Sequence, residues 1–136
     1  MKLRNERAEV FVPDGINVEE ALKRTTHMAV AAHQDDIEIM AYDGIARCFG
    51  LADRWFTAVV VTNGSGSPRS GLYAGYSDEE MMRVRREEQK KAAYIGGYSA
   101  VILLDYPSSD VKDPDNTPVK DELKKIMKMA QTKYLY

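Results

Sequence analysis

The sequence predicts an α/β fold: a mostly parallel sheet with helices on both faces. Three short apolar runs rich in β-branched residues, at about 27–32, 55–62 and 100–104, read as buried strands. Each is followed by a segment whose apolar residues recur at helical spacing. Strands separated by helices need crossover connections, and crossovers pair strands in parallel.

The elements follow in order. Residues 1–15 are mixed in character and end on Pro13-Asp14-Gly15, a turn signal. Asn17 with Glu20 resembles a capping box, and Val18, Ala21 and Leu22 have helical spacing, so a short helix is expected over about 17–26. The first strand comes next. Ile37, Met40, Ala41, Ile45 and Cys48 then mark one helix face, stopped by Gly50. After the second strand, 63–76 is a loop with four glycines and a proline. Such length in a strand-to-helix connection signals function or disorder. Ser77 with Glu80 opens a capped helix that runs to about residue 95 and ends at Gly96-Gly97. The third strand leads into an acidic loop over 105–118, with Asp105, Asp110, Asp113 and Asp115. Thr117-Pro118 suits an N-cap and first turn. Val119, Leu123, Ile126, Met127 and Ala130 make the apolar face of the helix it starts. Tyr134-Leu135-Tyr136 reads as the first residues of a fourth strand.

The 136 residues suit a single domain, 1–136, with an ordinary 44% hydrophobic and 29% charged content. A doubly wound sheet ending after its third strand–helix unit leaves an apolar edge uncovered. The chain is therefore expected to be the N-terminal part of a larger domain, or to pair with another chain such as a second copy of itself. The net charge of −2 gives no electrostatic case for nucleic acid or an anionic membrane. The mixed signs of the helix at 78–91 point the same way, to a solvated face. Lone Cys48 excludes an internal disulfide and fits a reducing compartment. With no apolar signal segment near Met1 and no apolar run approaching about 18 residues, a cytoplasmic location is expected.

The chemistry concentrates in Ala32-His33-Gln34-Asp35-Asp36-Ile37-Glu38, directly after the apolar run Met28-Ala29-Val30-Ala31. Ligands of open α/β sheets collect at the carboxyl ends of strands. His33 and Asp36 are a nitrogen and an oxygen ligand of the kind zinc accepts, and Asp35 is left free to act as a base. The competing reading is a helix start that favours acids through its dipole, with Asp36 as its cap. His27, the only other histidine, stands roughly 20 Å away at about 3.3 Å per strand residue, and reads as a residue of the strand's start. Cys48 lies about 18 Å from Asp36 at 1.5 Å per helical residue and reads as a core thiol. Asp105 or Asp110 could give a third ligand from the same edge; the other source is a residue beyond Tyr136. The Gly-Ser loop could form a phosphate nest with Arg69. It is neither Gly-x-Gly-x-x-Gly nor a P-loop, so a substrate-facing lid is the stronger reading.

With its surroundings, the Ala-His-x-Asp-Asp-x-Glu segment resembles the signature of the LmbE-like (PIG-L) zinc-dependent N-deacetylases. Val61-Thr62-Asn63-Gly64 is similar to that family's second strand and Thr-x-Gly loop. Val84 to Ala93, followed by Ile95-Gly96, is similar to its Arg-x-x-Glu helix, and Leu103 to Asp110 to the loop after its third strand. The resemblance spans about 27–135. It implies a Rossmann-like fold and hydrolysis of an N-acetyl group, often on a glucosamine-type sugar. It implies Zn2+ on His33 and Asp36, Asp35 as general base, and Arg85 as a substrate contact. An Arg85–Glu88 ion pair on a solvated helix face is the alternative for that last residue. The chain departs from the pattern at Gln34, where many members have proline, at Asp43-Gly44 in place of paired glycines, and around Ser65. The family's later His-rich motif, source of its third zinc ligand, is absent. The expected function is removal of an N-acetyl group from a small amino-sugar conjugate. The alternative is a non-catalytic or partner-completed relative that binds a small glycan or a phosphorylated ligand.

Overall fold

The structure is a computed structural model that describes residues 1–115 and 117–136. Its elements are β1 (Glu9–Phe11), α1 (Val18–Lys23), β2 (His27–Ala31), α2 (Asp36–Met40), α3 (Tyr42–Cys48), β3 (Phe56–Thr62), α4 (Asp78–Ile95), β4 (Ala100–Tyr106), α5 (Ser108–Lys112), α6 (Thr117–Ala130) and β5 (Tyr134–Leu135). One sheet holds all five strands in the order β1, β4, β3, β2, β5. The central strands pair in parallel, from His27 opposite Phe56 to Ala31 opposite Val60, and from Thr57 opposite Ala100 to Val60 opposite Leu103. The mostly parallel α/β sheet expected from the sequence is therefore present.

Its order places the site. The chain builds outward from β2 through β3 to β4, then returns to lay β5 on the other side of β2. Strand order reverses at β2, and at such a switch point the connections leave in opposite directions and open a crevice at the carboxyl ends. The His-Asp segment is the connection leaving β2 there.

Side chains alternate across the sheet, as the two-residue strand period requires. Ala29, Ala31, Ala58, Val60, Val101 and Leu103 join the cluster of α2, α3 and α4. Met28, Val59, Val61, Ile102 and Leu104 join the opposite cluster with Leu22 of α1 and Val119, Ile126 and Ala130 of α6. Both faces are covered, which is why the strands read as continuous apolar runs. Cys48 is buried in the first cluster, and His27 begins β2.

Four local features differ from the sequence reading. β1 adds an antiparallel edge strand within the segment read as mixed, with Val10 opposite Ile102. Three residues are too few to show alternation, and Asn5 helps to dock them by donating from Nδ2 to the Leu104 and Asp105 carbonyls. The helix expected through 37–48 is broken at Ala41 (φ −111°) into α2 and α3. Below the break α3 lies close against its neighbours: a Cβ on Gly44 would stand 2.7 Å from the Tyr136 ring and 3.1 Å from that of Phe56. The acidic loop contains α5, and β4 reaches into it as far as Tyr106. α6 starts at Thr117, with Pro118 in its first turn; Asn116, within the same expected loop, lies outside the described residues. Tyr134 and Leu135 of β5 and Ile39, Met40 and Tyr42 beside the Ala41 break are exposed. No described helix is long and apolar enough to cross a membrane.

Candidate metal and catalytic site

β2 releases the chain at Ala32, whose carbonyl still accepts the Thr62 N–H at 2.8 Å. The next four residues turn sharply into α2. Asp36 is not the cap of that helix. It is the first helical residue, and its Oδ2 accepts the His33 N–H at 3.0 Å while lying 3.3 Å from His33 Nδ1. The cap position falls on Asp35, which has left-handed backbone (φ 69°, ψ −20°) and makes no side-chain capping bond. The helix start is present, with Asp36 in the first turn of α2, but neither carboxylate caps it.

The left-handed turn separates the two aspartates. The Asp36 carboxylate turns back to His33, whose side chain is 58% exposed. The Asp35 carboxylate, 64% exposed, meets Arg85 of α4, with Arg85 Nη2 2.7 Å from Asp35 Oδ2. Arg85 Nη2 also donates to the Gln34 carbonyl at 3.0 Å, and its Nη1 donates to Glu88 at 2.6 Å. The Arg85–Glu88 pair therefore exists, but not on a solvated face, since the Arg85 side chain is only 18% exposed. Burial alone would lower the Arg85 pKa; Asp35, then Glu88, outweigh it and hold the guanidinium above its ordinary value.

The Thr62–Gly64 loop buttresses the turn from beneath. Gln34 is buried, and its Nε2 donates to the Thr62 carbonyl at 2.8 Å. Gly64 has φ +76°, and a Cβ there would stand 2.8 Å from Gln34 Oε1 and 3.0 Å from the Arg85 stem. Glycine is favoured on both counts. Arg69 does not serve as an anion partner. Its Nη1 donates to the Ser65 and Ser67 carbonyls, each at 2.6 Å, and its Nη2 pairs with Asp78. The Gly-Ser loop is thus closed on itself and tied to the start of α4.

The donor chemistry at His33 and Asp36 fits a metal. Two ligands of one tetrahedral zinc, at bonds of about 2.0–2.1 Å, stand about 3.4 Å apart; His33 Nδ1 and Asp36 Oδ2 stand 3.3 Å apart. Among the described residues no group of three or more His, Cys, Asp and Glu side chains is placed to hold an ion. Asp105, one possible source of a third ligand, is held in ion pairs away from His33 and Asp36. It is buried at the end of β4, with Arg86 Nη2 2.7 Å from Oδ1 and Arg7 Nε 3.1 Å from Oδ2. Asp110, the other candidate, is on α5 beside Ser109.

A part-buried relay behind the turn is not marked in the sequence reading. The Asp35 N–H donates to Gln89 Oε1 at 3.0 Å, Gln89 Nε2 to Glu38 Oε1 at 2.9 Å, and the Tyr98 hydroxyl to the same Glu38 oxygen at 2.7 Å. A signal for it exists in the sequence. Met81, Arg85, Gln89 and Ala93 fall at spacings of four, so two polar residues occupy the stripe whose other members are buried.

A family model described as PIG-L, GlcNAc-PI de-N-acetylase, matches residues 28–136. No match is found among curated proteins or among solved structures.

Proposed function

Because this chain belongs to the PIG-L family of GlcNAc-PI de-N-acetylases, we propose that it hydrolyses the N-acetyl group of an amino-sugar conjugate with the help of zinc. One observation carries the reading: a nitrogen and an oxygen donor 3.3 Å apart at the carboxyl end of β2, with a second carboxylate on the adjoining residue.

His33 and Asp36 would hold the metal, and Zn2+ bound there supplies a Lewis acid for the acetyl carbonyl and a water whose pKa falls to about 7. Asp35 acts as the base. Its Oδ2 is engaged by Arg85, while Oδ1 makes no hydrogen bond among the described residues and can take a proton from water. The same group can return that proton to the leaving amine. Arg85 is the proposed substrate contact, since its guanidinium stands against Asp35 at the rim where a sugar hydroxyl would lie.

A second reading follows from the donor count. The described residues bring two ligands together, so the set is completed by further chain, by a partner subunit, or, in a non-catalytic relative, not at all. The experiment that decides is Asp35→Asn in the intact protein. Acetate release from N-acetylglucosamine should fall at least a thousandfold while zinc content by mass spectrometry stays at the wild-type level. Turnover unchanged by the substitution would sink the assignment.

A further inference from the structure

We propose that Gln89 is a positioning residue for Asp35, fixing the left-handed backbone from which the base reaches the site. The inference rests on the deacetylase reading of Asp35 and extends it to a residue in the interior of α4.

Asp35 is a branched-off conformation in an otherwise regular strand-to-helix exit. A non-glycine residue at φ 69° is disfavoured and persists only where its surroundings over-determine it. Two groups from α4 do so. Arg85 engages the side chain, at the rim. Gln89, 1% exposed, engages the backbone, accepting the Asp35 N–H at 3.0 Å. Arg85 cannot replace it, because a guanidinium has no acceptor for an N–H.

The direction of the Gln89 amide is itself decided. Its nitrogen lies 2.9 Å from Glu38 Oε1, and a carboxylate can only accept, so the amide must give its NH2 to Glu38 and its oxygen to Asp35. The Tyr98 hydroxyl donates to the same Glu38 oxygen. Tyr98 stays protonated because burial, then the Glu38 charge, pushes its pKa well up. Tyr98 and Glu38 therefore orient Gln89, and Gln89 orients Asp35. Asp35, Gln89, Glu38 and Tyr98 are thus hydrogen-bonded in sequence, and a linked network of this kind favours one geometry.

The test compares two variants of the intact protein with the wild type. Gln89→Leu keeps similar bulk and removes the acceptor. In the Gln89→Glu/Glu38→Gln double variant, donors and acceptors trade places. The amide at position 38 gives one hydrogen to the carboxylate at position 89 and one to the Tyr98 oxygen, the Tyr98 hydroxyl hydrogen loses its acceptor, and the carboxylate still accepts the Asp35 N–H. Amide hydrogen exchange at Asp35 is read by NMR, and kcat and KM by acetate release from N-acetylglucosamine. Gln89→Leu is expected to speed exchange at Asp35 at least tenfold relative to neighbouring amides. It should lower kcat at least tenfold with KM changed less than threefold, and the double variant should recover slow exchange and part of kcat. Unchanged exchange in Gln89→Leu overturns the inference, as does faster exchange with an unchanged kcat. A wild-type protein that releases no acetate would remove the deacetylase reading instead, and exchange at Asp35 would still decide whether Gln89 holds it.

Discussion

Adjacent aspartates with opposite commitments are the central fact at the residue scale. Asp36 faces His33 and Asp35 faces Arg85, because one residue of left-handed backbone turns the chain between them. The sequence marked His33, Asp35 and Asp36, since acids and a histidine after a buried strand stand out locally, whereas Arg85 came only from the family resemblance. It did not mark Gln89, whose partners lie 51 and 54 residues away, and a solvated charged helix was the natural reading of its surroundings. Gly64 shows the same limit. Its neighbours in space, Gln34 and Arg85, lie far from it on both sides in the chain. Gly64→Ala should destabilise by about 1–3 kcal/mol, since it adds a strained φ and a contact that Gln34 or Arg85 must give way to. A shift of the urea midpoint measures the loss; an unchanged midpoint would mean that the turn relaxes freely around Gly64.

Local chemistry set the ends of α4 well but not its interior loyalties. α4 begins with a complete capping box: Ser77 Oγ accepts the Glu80 N–H, and Glu80 Oε2 accepts the Ser77 N–H at 2.8 Å. Ser77→Ala should cost about 1 kcal/mol by thermal unfolding, the usual value of an N-cap. A smaller loss than about 0.3 kcal/mol would show that Arg69 and Asp78 hold the helix start without it. In α6 the apolar stripe read from spacing is the buried one, with Ile126 fully enclosed. Ile126→Ala should cost about 2–5 kcal/mol, the range for removing a buried aliphatic side chain, because the void cannot collapse between a helix and a sheet. The break between α2 and α3 was not legible, since Met40, Ala41 and Tyr42 carry no helix-stopping residue. It comes with the close approach of α3 to Phe56 and Tyr136.

For the whole molecule, the sheet has a polar site at the carboxyl end of β2 and an aromatic stack at its other end. His27 stacks on Tyr134 with ring centroids 4.7 Å apart, tying the start of β2 to β5. Burial first, then the charges of Arg54 and Arg47, lower the His27 pKa below its ordinary 6.5, with Asp43 opposing. The unfolded chain therefore binds a proton at His27 more readily than the folded one. Its contribution to stability is present above about pH 6.5 and is lost as pH falls toward the folded pKa. The carboxylate of Asp14, lowered mainly by its hydrogen bond to Arg24, is lost only below its ordinary 3.8, outside that window. The urea midpoint should drop between pH 7.5 and 5.5, and the drop should shrink in His27→Phe, which keeps the ring. Equal midpoints at both pH values would show that His27 takes its proton without cost.

The sequence by itself determined the strands β2, β3 and β4, the helices α1, α4 and α6, the parallel pairing of those strands and the place of the His-Asp segment after β2. These follow from periods of two and 3.6 residues and from neighbours along the chain, so a local reading finds them. Only the tertiary structure decided the strand order that puts β5 beside β2, the antiparallel β1, the commitment of Asp105 to Arg7 and Arg86, and the Gln89 relay behind Asp35. Each of these joins groups far apart in the chain. Which distant partners meet is settled by how both faces of the sheet are buried at once, and no short window of sequence contains that condition.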